Sequence, residues 1–290
     1  MATYQTLKKY PMKPEGRLST CPECYCGRNK ITLHAYWIVN IVAAILHLAN
    51  ASLMLIFYYW DDKKQDKLYD ITTVYDNYNS TIDGGIGKES ITIWEGLSLH
   101  WTVFTFHLLS FVFQMLVLFP GYNYQNKVEK EGRNWLRFVE YSASASLMLV
   151  SIALTVGIRD FITLLVICIL NISTQIIGAN NETTARPDIR RGGFFLAWLC
   201  ILSAYFIILW YYGLSVAHSD DDVPSDTTLI VISQFVLFNL FGLIQMVQIF
   251  GKKWGFLSAI GKESELSYCV LSIASKTALG WLIYTSVINP

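Results

Sequence analysis

Charged residues are scarce in this sequence, since Asp, Glu, Lys and Arg together make up only 15% of the 290 residues. Soluble domains carry about 25%, so this chain has too little charge to cover a water-facing surface of ordinary size. Its 22 basic and 22 acidic residues balance, and the basic excess typical of nucleic-acid-binding proteins is missing. We therefore expect no nucleic-acid partner.

Glycine and proline are also few, at 18 and 7 residues. These numbers exclude collagen-like chains and disordered chains of low complexity. The sequence is instead rich in hydrophobic residues, which make up 53% of the chain. This composition predicts an integral membrane protein with the lipid bilayer as its main partner.

Seven apolar runs are long enough to cross a bilayer as helices, because about 20 apolar residues span about 30 Å of hydrocarbon. The short alternating segments of a membrane β-barrel are absent. The sequence therefore predicts an all-α protein, with a polar tail at residues 1–34 and one seven-helix domain at residues 35–290. The predicted spans are residues 35–60, 97–119, 134–157, 161–180, 193–217, 227–250 and 266–288.

The longest connection, residues 61–96, is mostly polar. It contains the β-favouring stretch Ile71–Tyr78 and the turn signal Asp83-Gly84-Gly85. These features are compatible with a small β-hairpin over one end of the bundle.

Basic residues near the span ends predict the orientation of the chain. Fifteen lie in the tail and in the connections between spans 2 and 3, 4 and 5, and 6 and 7, against five in the other connections. Cytoplasmic loops carry the excess of Lys and Arg. The amino terminus is therefore predicted to be cytoplasmic and the carboxyl terminus extracellular.

Three formal charges lie inside the predicted spans, namely Arg137, Glu140 and Lys276. A charge at the bilayer centre costs about 2.5–3.5 kcal/mol, so each is a candidate functional residue. Lys276 lies roughly 15 Å or more from either end of its span at about 1.5 Å per residue, which is too far for its side chain to reach water. Glu140 is the only carboxylate in the predicted spans. Arg137 lies on its helix face three residues earlier and is expected to stabilise Glu140 as an anion.

Burial of Lys276 favours its neutral amine, which is the nucleophile in Schiff-base formation. A protonated Schiff base is again a buried cation and requires a counter-ion, for which Glu140 is the candidate. The alternative is a plain interhelical ion pair between Lys276 and Glu140.

Two motifs carry a resemblance to a known family. The stretch Arg137–Met148 reads RFVEYSASASLM and the stretch Ser272–Trp281 reads SIASKTALGW. They resemble the third and seventh helices of heliorhodopsins, which read approximately R-W-x-E-Y-S-x-S-x-S-x-M and S-x-x-x-K-x-x-L-A-W. The predicted orientation is also the one found in that family. The resemblance extends over the membrane part of the chain and implies a retinal-binding photoreceptor that is not an enzyme.

The resemblance implies that retinal, all-trans in the dark, forms a protonated Schiff base with Lys276, and that Glu140 is its counter-ion. It places Ser272 near the Schiff base and His47 on the cytoplasmic side of the pocket. Asn50 stands where the family more often has glutamine. The other implied pocket positions are Ser110, Gln114, Tyr141, Ser144, Phe238, Gln245 and Trp281, and Trp198 and Trp210 are further candidates to line a chromophore.

One departure from the family pattern concerns the second helix. The family's histidine is expected after a Leu-Ser-x-x-x pattern, where this chain has Gln114. A glutamine cannot accept a proton as imidazole does. This departure puts the family's histidine-lined, proton-accepting region in question, and His107 and His100 either compensate for it or do something separate.

Three cysteines in the tail, Cys21, Cys24 and Cys26, offer with His34 the ligands of a Cys₃His zinc site. A second pair of ligands with zinc-site spacing is missing, so palmitoylation or no modification is the favoured interpretation. Of the remaining acids, Glu95 is expected at the membrane interface, at the outer end of the second helix. Glu182 is expected to cap the cytoplasmic end of the fourth.

The leading interpretation is a light sensor whose change of shape is read by a cytoplasmic partner or by the membrane. A light-gated channel or transporter of protons or ions with the same fold is the second. A transporter without chromophore, in which Lys276 and Glu140 bind a charged substrate, is the third. The resemblance also implies a homodimer.

Overall fold

The structure is a computed structural model and describes residues 30–60, 68–77, 87–119, 134–184, 186–218, 225–250 and 264–288, with side chains from residue 35 onward. Within these ranges, seven helices are long and apolar enough to cross a membrane. The chain is therefore an integral membrane protein. Its helices are α1 (Lys30–Trp60), α2 (Leu99–Leu118), α3 (Trp135–Thr155), α4 (Phe161–Thr183), α5 (Pro187–His218), α6 (Ser225–Phe250) and α7 (Ser264–Ile283), which a π-helical turn, Tyr284–Ile288, continues.

The seven helices pack in chain order around a closed ring, in which α7 contacts α1 and also α2. We call the end at which α1, α3, α5 and α7 begin the tail end, and the opposite end the hairpin end. α3 is the most enclosed helix, because 67% of its apolar 18-residue stretch is buried. The corresponding fraction for α6 is 17%. Charged side chains are therefore best shielded from lipid on α3.

Two antiparallel strands form a hairpin between α1 and α2. They are β1 (Leu68–Asn77) and β2 (Gly87–Ser98), with Thr72 opposite Thr92. The strand register shifts near Ile71. On β2, Gly96 has a φ of +66°, which few residues other than glycine adopt.

The hairpin packs onto the connection between α3 and α4. Tyr69 and Ile71 are buried, and the Thr72 N–H donates a hydrogen bond to the Arg159 carbonyl oxygen at 2.9 Å. The Arg159 guanidinium lies 4.3 Å from the centre of the Tyr69 ring. The hairpin therefore covers this end of the ring rather than extending away from it.

An apolar cluster packs inside the hairpin end of the bundle. Leu99, Val103, Ile152, Leu279 and Ile283 are completely buried there, on α2, α3 and α7. They belong to one contiguous cluster of buried apolar residues. The buried charged side chains of the interior lie between this cluster and the tail end, whereas the hairpin end also buries a few uncharged polar side chains, among them His100 and Ser151.

Several helices differ in length from the predicted spans. α5 begins at Pro187, about two turns before residue 193, because proline is favoured in the first turn of a helix and Asp188 follows it there. α2 begins at Leu99, so that Glu95 lies on β2 and is exposed. α7 begins at Ser264, which places Glu265 inside the helix. Hydropathy marks only the apolar part of a helix and therefore misses polar first turns.

Candidate functional site

Lys276 lies in the middle of α7 with only 2% of its surface exposed. Its Nζ donates a hydrogen bond to Glu140 Oε1 at 2.6 Å and another to Ser272 Oγ at 3.0 Å. Ser272 precedes Lys276 by four residues, so both side chains lie on one face of α7. The Tyr141 ring lies 5.2 Å from Nζ. We call Lys276 and Glu140 the lysine pair.

The lysine pair satisfies the conditions under which a buried ion pair is tolerated. Both side chains are at most 6% exposed, and removing charges from water is costly unless they are paired and hydrogen-bonded. Glu140 is on α3 and Lys276 on α7, so the pair joins opposite sides of the interior. Sequence analysis placed these two residues together, and the structure does the same.

A cavity adjoins Lys276. Its wall is mostly apolar and aromatic, with a few amides and hydroxyls, which is typical of a small-molecule site. Of the predicted pocket residues, this cavity contacts Lys276, Ser272, Tyr141, Phe238, Gln245 and Trp198. Other residues of the wall include Met148, Phe241, Gly242 and Tyr268.

Two buried histidines lie between α1 and α2. His47 Nδ1 and His107 Nδ1 are 3.1 Å apart, which requires one ring to donate and the other to accept. A Cβ at Gly280 of α7 would lie 2.9 Å from His107 Nε2, so glycine leaves room for this ring. His107, two turns before Gln114 on α2, contacts His47, and a role of this histidine pair in accepting a proton stays a prediction.

Asn50 and Trp281 connect α1 to α7 outside the cavity wall. The Trp281 Nε1–H donates to Asn50 Oδ1 at 3.0 Å, and Asn50 Nδ2 donates to Thr277 Oγ1 at 3.2 Å. Neither residue lines the cavity beside Lys276, so their place at the retinal stays a prediction. His47 is likewise outside that wall. Asn50 of α1 meets Thr277, the residue after Lys276, so His47, one turn earlier on α1, lies close to the depth of the lysine.

Three other predicted pocket residues also lie away from the cavity beside Lys276. Ser110 is buried in α2 and donates to the Phe106 carbonyl oxygen at 3.0 Å. Ser144 is buried in α3. Gln114 lines a second, smaller cavity together with Glu140 and Cys269. Trp210, a further candidate, is 58% exposed on α5, since its helix face points out of the ring.

Arg137 does not pair with Glu140, contrary to expectation. Its guanidinium donates to Glu182 on α4 and to Glu265 on α7, and we call these three residues the arginine cluster. All three side chains are at most 6% exposed. Glu140 is therefore not the only buried carboxylate of the spans. Arg137 and Glu140 share a face of α3, which predicted that they would pair. The long arginine side chain extends about one turn towards the tail end instead and reaches other carboxylates.

The sequence model of the heliorhodopsin family matches residues 36–288. The chain belongs to the heliorhodopsin family. Membership makes it a retinal photoreceptor-type protein of a family that is generally not enzymatic. The match covers all seven helices, both motifs and both ion clusters.

Solved structures of other rhodopsins share the fold of this heliorhodopsin. A thermophilic rhodopsin from Rubrobacter xylanophilus has a TM-score of 0.60 at 11% identity, covering 87% of this chain and 95% of that chain. A light-driven proton pump from Leptosphaeria maculans has a TM-score of 0.61 at 12% identity, covering 89% and 97%. Halorhodopsin, a light-driven chloride pump, has a TM-score of 0.57 at 14% identity, covering 91% and 97%. The comparison with curated proteins gives no match.

The cavity fits the retinal that the family implies. The buried amine of Lys276 opens onto an aromatic space, and its nearest hydrogen-bond partner is the carboxylate of Glu140, which can balance a positive charge. A Cβ at Gly242 would lie 1.8 Å from Trp198 Nε1, so only glycine lets this indole cross α6 at the cavity wall. A Cβ at Gly178 would lie 3.0 Å from the Phe138 ring. These close contacts bring the rings of Trp198 and Phe138 to the cavity wall, and aromatic rings there are suited to packing against a polyene.

Several site residues of this heliorhodopsin were missed by sequence analysis. Met148 follows Tyr141 by seven residues and Phe241 follows Phe238 by three, so helical spacing could have found both. Tyr268 stacks on Phe241 at 6.2 Å between ring centres. Glu265 lies in the polar first turn of α7, where no apolar pattern marked it.

The zinc prediction for Cys21, Cys24 and Cys26 lies outside the described residues, as does the side chain of His34. Within the ranges that the structure describes, no group of three or more His, Cys, Asp and Glu could hold a metal ion.

Proposed function

We propose that this heliorhodopsin senses light through retinal, all-trans in the dark, held by Lys276 as a protonated Schiff base with Glu140 as counter-ion. The observation that carries the proposal is the position of Lys276 Nζ, 2.6 Å from Glu140 Oε1 beside the aromatic cavity. Bound there, retinal would supply the absorption of visible light and a change of shape on isomerisation.

Glu140 and Ser272 hold the proton on the nitrogen of Lys276. An opposite charge at this distance favours the protonated form, and the Ser272 hydroxyl accepts a second hydrogen bond at 3.0 Å. Trp198, Phe238 and Phe241 exclude water from the rest of the cavity. In such surroundings the energy of the ion pair is sensitive to small movements, because the effective dielectric constant is low.

His47 and His107 are the candidates to take up a proton that leaves the lysine pair. One ring of the hydrogen-bonded pair must present a lone pair to the other, and neutral imidazole is a proton acceptor at ordinary pH. Asn50 and Trp281 hold α1 against α7 one turn beyond them. This histidine pair supports the photoreceptor interpretation, in which a proton moves internally and the output is a change of shape.

A light-gated conductor of protons or ions is the second candidate function. A polar cavity adjoins Glu140 on its tail side, whereas a cluster of buried apolar side chains packs across the hairpin end. This asymmetry favours conduction that is closed in the dark, at the apolar end. Photocurrent under voltage clamp distinguishes the two functions, since a sensor gives none and a conductor gives a steady current during illumination.

The orientation and the partners belong to the same proposal. The fifteen-to-five distribution of basic residues supports a cytoplasmic tail end and an extracellular hairpin end. A homodimer and a cytoplasmic signalling partner are proposed from family resemblance. Tags placed after residue 2 and after Pro290 test the orientation: in intact cells the first should be protected and the second accessible, and the reverse result would overturn it.

Reconstitution with retinal tests the core of the proposal. The membrane protein, expressed without retinal, should become coloured after all-trans-retinal is added, and acid hydrolysis should return retinal from the protein. Absence of a visible band in well-expressed, folded protein would favour the transporter without chromophore, in which Lys276 and Glu140 bind a charged substrate.

A further inference from the structure

The arginine cluster has an unusual balance of charge. One guanidinium lies between two carboxylates, those of Glu182 and Glu265. The second oxygen of Glu265 also accepts a hydrogen bond from Asn134 Nδ2 at 3.0 Å. The second oxygen of Glu182 is buried and has no hydrogen-bond partner among the described residues. Fully ionised, the cluster would carry one excess negative charge and one unsatisfied anionic oxygen.

Within the described part of the chain, the groups that face the two carboxylates do not remove this excess. On α3 and α7 they are Tyr141 and Tyr268, whose hydroxyls are neutral at ordinary pH; the Arg137 guanidinium stacks on the Tyr268 ring at 4.2 Å. On the α1 side, Asn134 donates to the Tyr36 hydroxyl at 3.1 Å. Arg190 is a further cation on α5, and no ion pair between described residues joins it to either glutamate.

A buried, uncompensated carboxylate takes up a proton rather than remain charged. Protonation of one of the two glutamates makes the cluster neutral while leaving Arg137 paired. It also turns the unsatisfied Glu182 oxygen into a hydroxyl, which costs less to bury than an anion. The charge count and the orphaned oxygen therefore lead to the same conclusion, which is one bound proton.

A second cavity connects this cluster to the lysine pair. Both Glu140 and Glu265 line it, together with Asn40, Gln114 and Asn134. A polar cavity of this kind can accommodate water, which makes about three hydrogen bonds to such groups. A water that bridges Glu265 and Glu140 in this cavity would give a proton a route between them.

We propose that Glu182 and Glu265 share one proton in the dark and donate it to Glu140 through this cavity after illumination. When the positive charge at the end of Lys276 moves away, Glu140 becomes an unpaired buried anion. An O–H bond then breaks in the arginine cluster and an O–H bond forms on Glu140, and the cluster regains a proton from the tail side. The second step rests on the proposed light-driven function, whereas the dark proton does not.

Infrared spectroscopy of the full chain in lipid tests the dark proton. The parent should show the C=O stretch of a buried carboxylic acid at neutral pH, shifted in D₂O. Because the proton is shared, Glu182→Gln and Glu265→Gln should each remove this band, and the matched control Glu95→Gln on the exposed hairpin should keep it. A parent without the band, or a band that survives both cluster variants, would overturn the proposal. If a cluster variant does not fold, the parent's band remains the test, and it must disappear on titration to alkaline pH.

Light-minus-dark difference spectra test the transfer. The band of the cluster should decrease while a new C=O band appears, and Glu140→Gln should abolish the new band. A dark band that does not change on illumination of a coloured pigment would overturn the transfer step. Failure of the retinal proposal is distinguishable, because the protein would then lack colour and still show the dark band.

Discussion

Two buried ion clusters lie one turn apart on α3, and they differ in what their cation can do. In the lysine pair, Lys276 meets one carboxylate, Glu140, beside an aromatic cavity. In the arginine cluster, Arg137 meets two carboxylates where three helices begin or end. Arginine stays charged in proteins, whereas a buried lysine can lose its charge or form a Schiff base.

α3 takes part in both clusters: its Arg137 keeps a fixed charge, whereas its Glu140 faces a cation, Lys276, whose charge can change. Arg137 contacts both carboxyl groups at once and ties α3 to α4 and α7, so its removal would leave two buried carboxyl groups without their cation. Lys276 has one anion and one hydroxyl, and the loss of its charge would leave a single acid that a proton can neutralise. The arginine cluster is suited to holding helices together and storing a proton. The lysine pair is suited to a change of charge and to forming a Schiff base.

The largest expected effect comes from removing the reactive cation. Lys276→Ala should abolish the visible band, because no other amine of the described residues lies in the cavity wall. The matched variant Lys276→Arg retains the positive charge beside Glu140 but cannot form a Schiff base, and it should be equally colourless. Absorption spectra after addition of retinal measure both. A visible band in either variant, at normal expression, would remove Lys276 from its role.

The next effect concerns stability. Arg137→Gln leaves two buried carboxylates without their cation, and breaking a buried ion pair in this way typically costs about 3–5 kcal/mol. We expect a clear fall in the thermal unfolding midpoint, followed by circular dichroism on protein without retinal. Arg159→Gln is the control, since this exposed cation–π contact with Tyr69 should contribute about 0.5–1 kcal/mol. Equal loss in both variants would contradict the tying role of Arg137.

A third prediction compares carboxylates. Glu140→Gln keeps the shape of the side chain and removes its charge, so the pigment should lose its visible band at a lower pH than the parent, by more than one pH unit. One unit corresponds to about 1.4 kcal/mol, a modest value for an ion pair at 2.6 Å. Any remaining protonated pigment should absorb further to the red. Glu95→Gln on exposed β2 is the control, and an unchanged midpoint in Glu140→Gln would assign the counter-ion elsewhere.

The lysine pair was predictable from sequence, and the arginine cluster was not. Lys276 and Glu140 stand out because a charge inside an apolar run has few explanations. Glu182 and Glu265 lie at helix ends, where acids are ordinary, and only the folded ring brings them to Arg137. The seven helices followed from hydropathy for the same reason, whereas the start of α5 at Pro187 did not, since its first two turns are polar.

The histidines show a further limit of sequence analysis. The heliorhodopsin family pattern predicts a histidine on the second helix at the position of Gln114, which lies two helical turns from His107. Both residues lie on the buried face of α2, so periodicity could not choose between them. The choice depends on what α1 and α7 present at each depth: His47 and Gly280 meet His107, and Cys269 meets Gln114.

The smallest expected effect separates hydrogen bonding from charge within the lysine pair. Ser272→Ala removes the hydroxyl that accepts from Lys276 Nζ at 3.0 Å and leaves Glu140 in place. A typical net hydrogen bond contributes about 0.5–1.5 kcal/mol, so the pH at which the visible band disappears should fall by less than in Glu140→Gln. Ser272→Thr should restore most of the shift, because it returns a hydroxyl to the same position. Ser110→Ala, a buried serine whose hydroxyl bonds only to its own helix among the described residues, should leave the midpoint unchanged. A shift in Ser272→Ala as large as that in Glu140→Gln would mean that the serine, rather than the carboxylate, holds the proton on Lys276. The contrast between the lysine pair and the arginine cluster would then depend on a hydroxyl group rather than on charge.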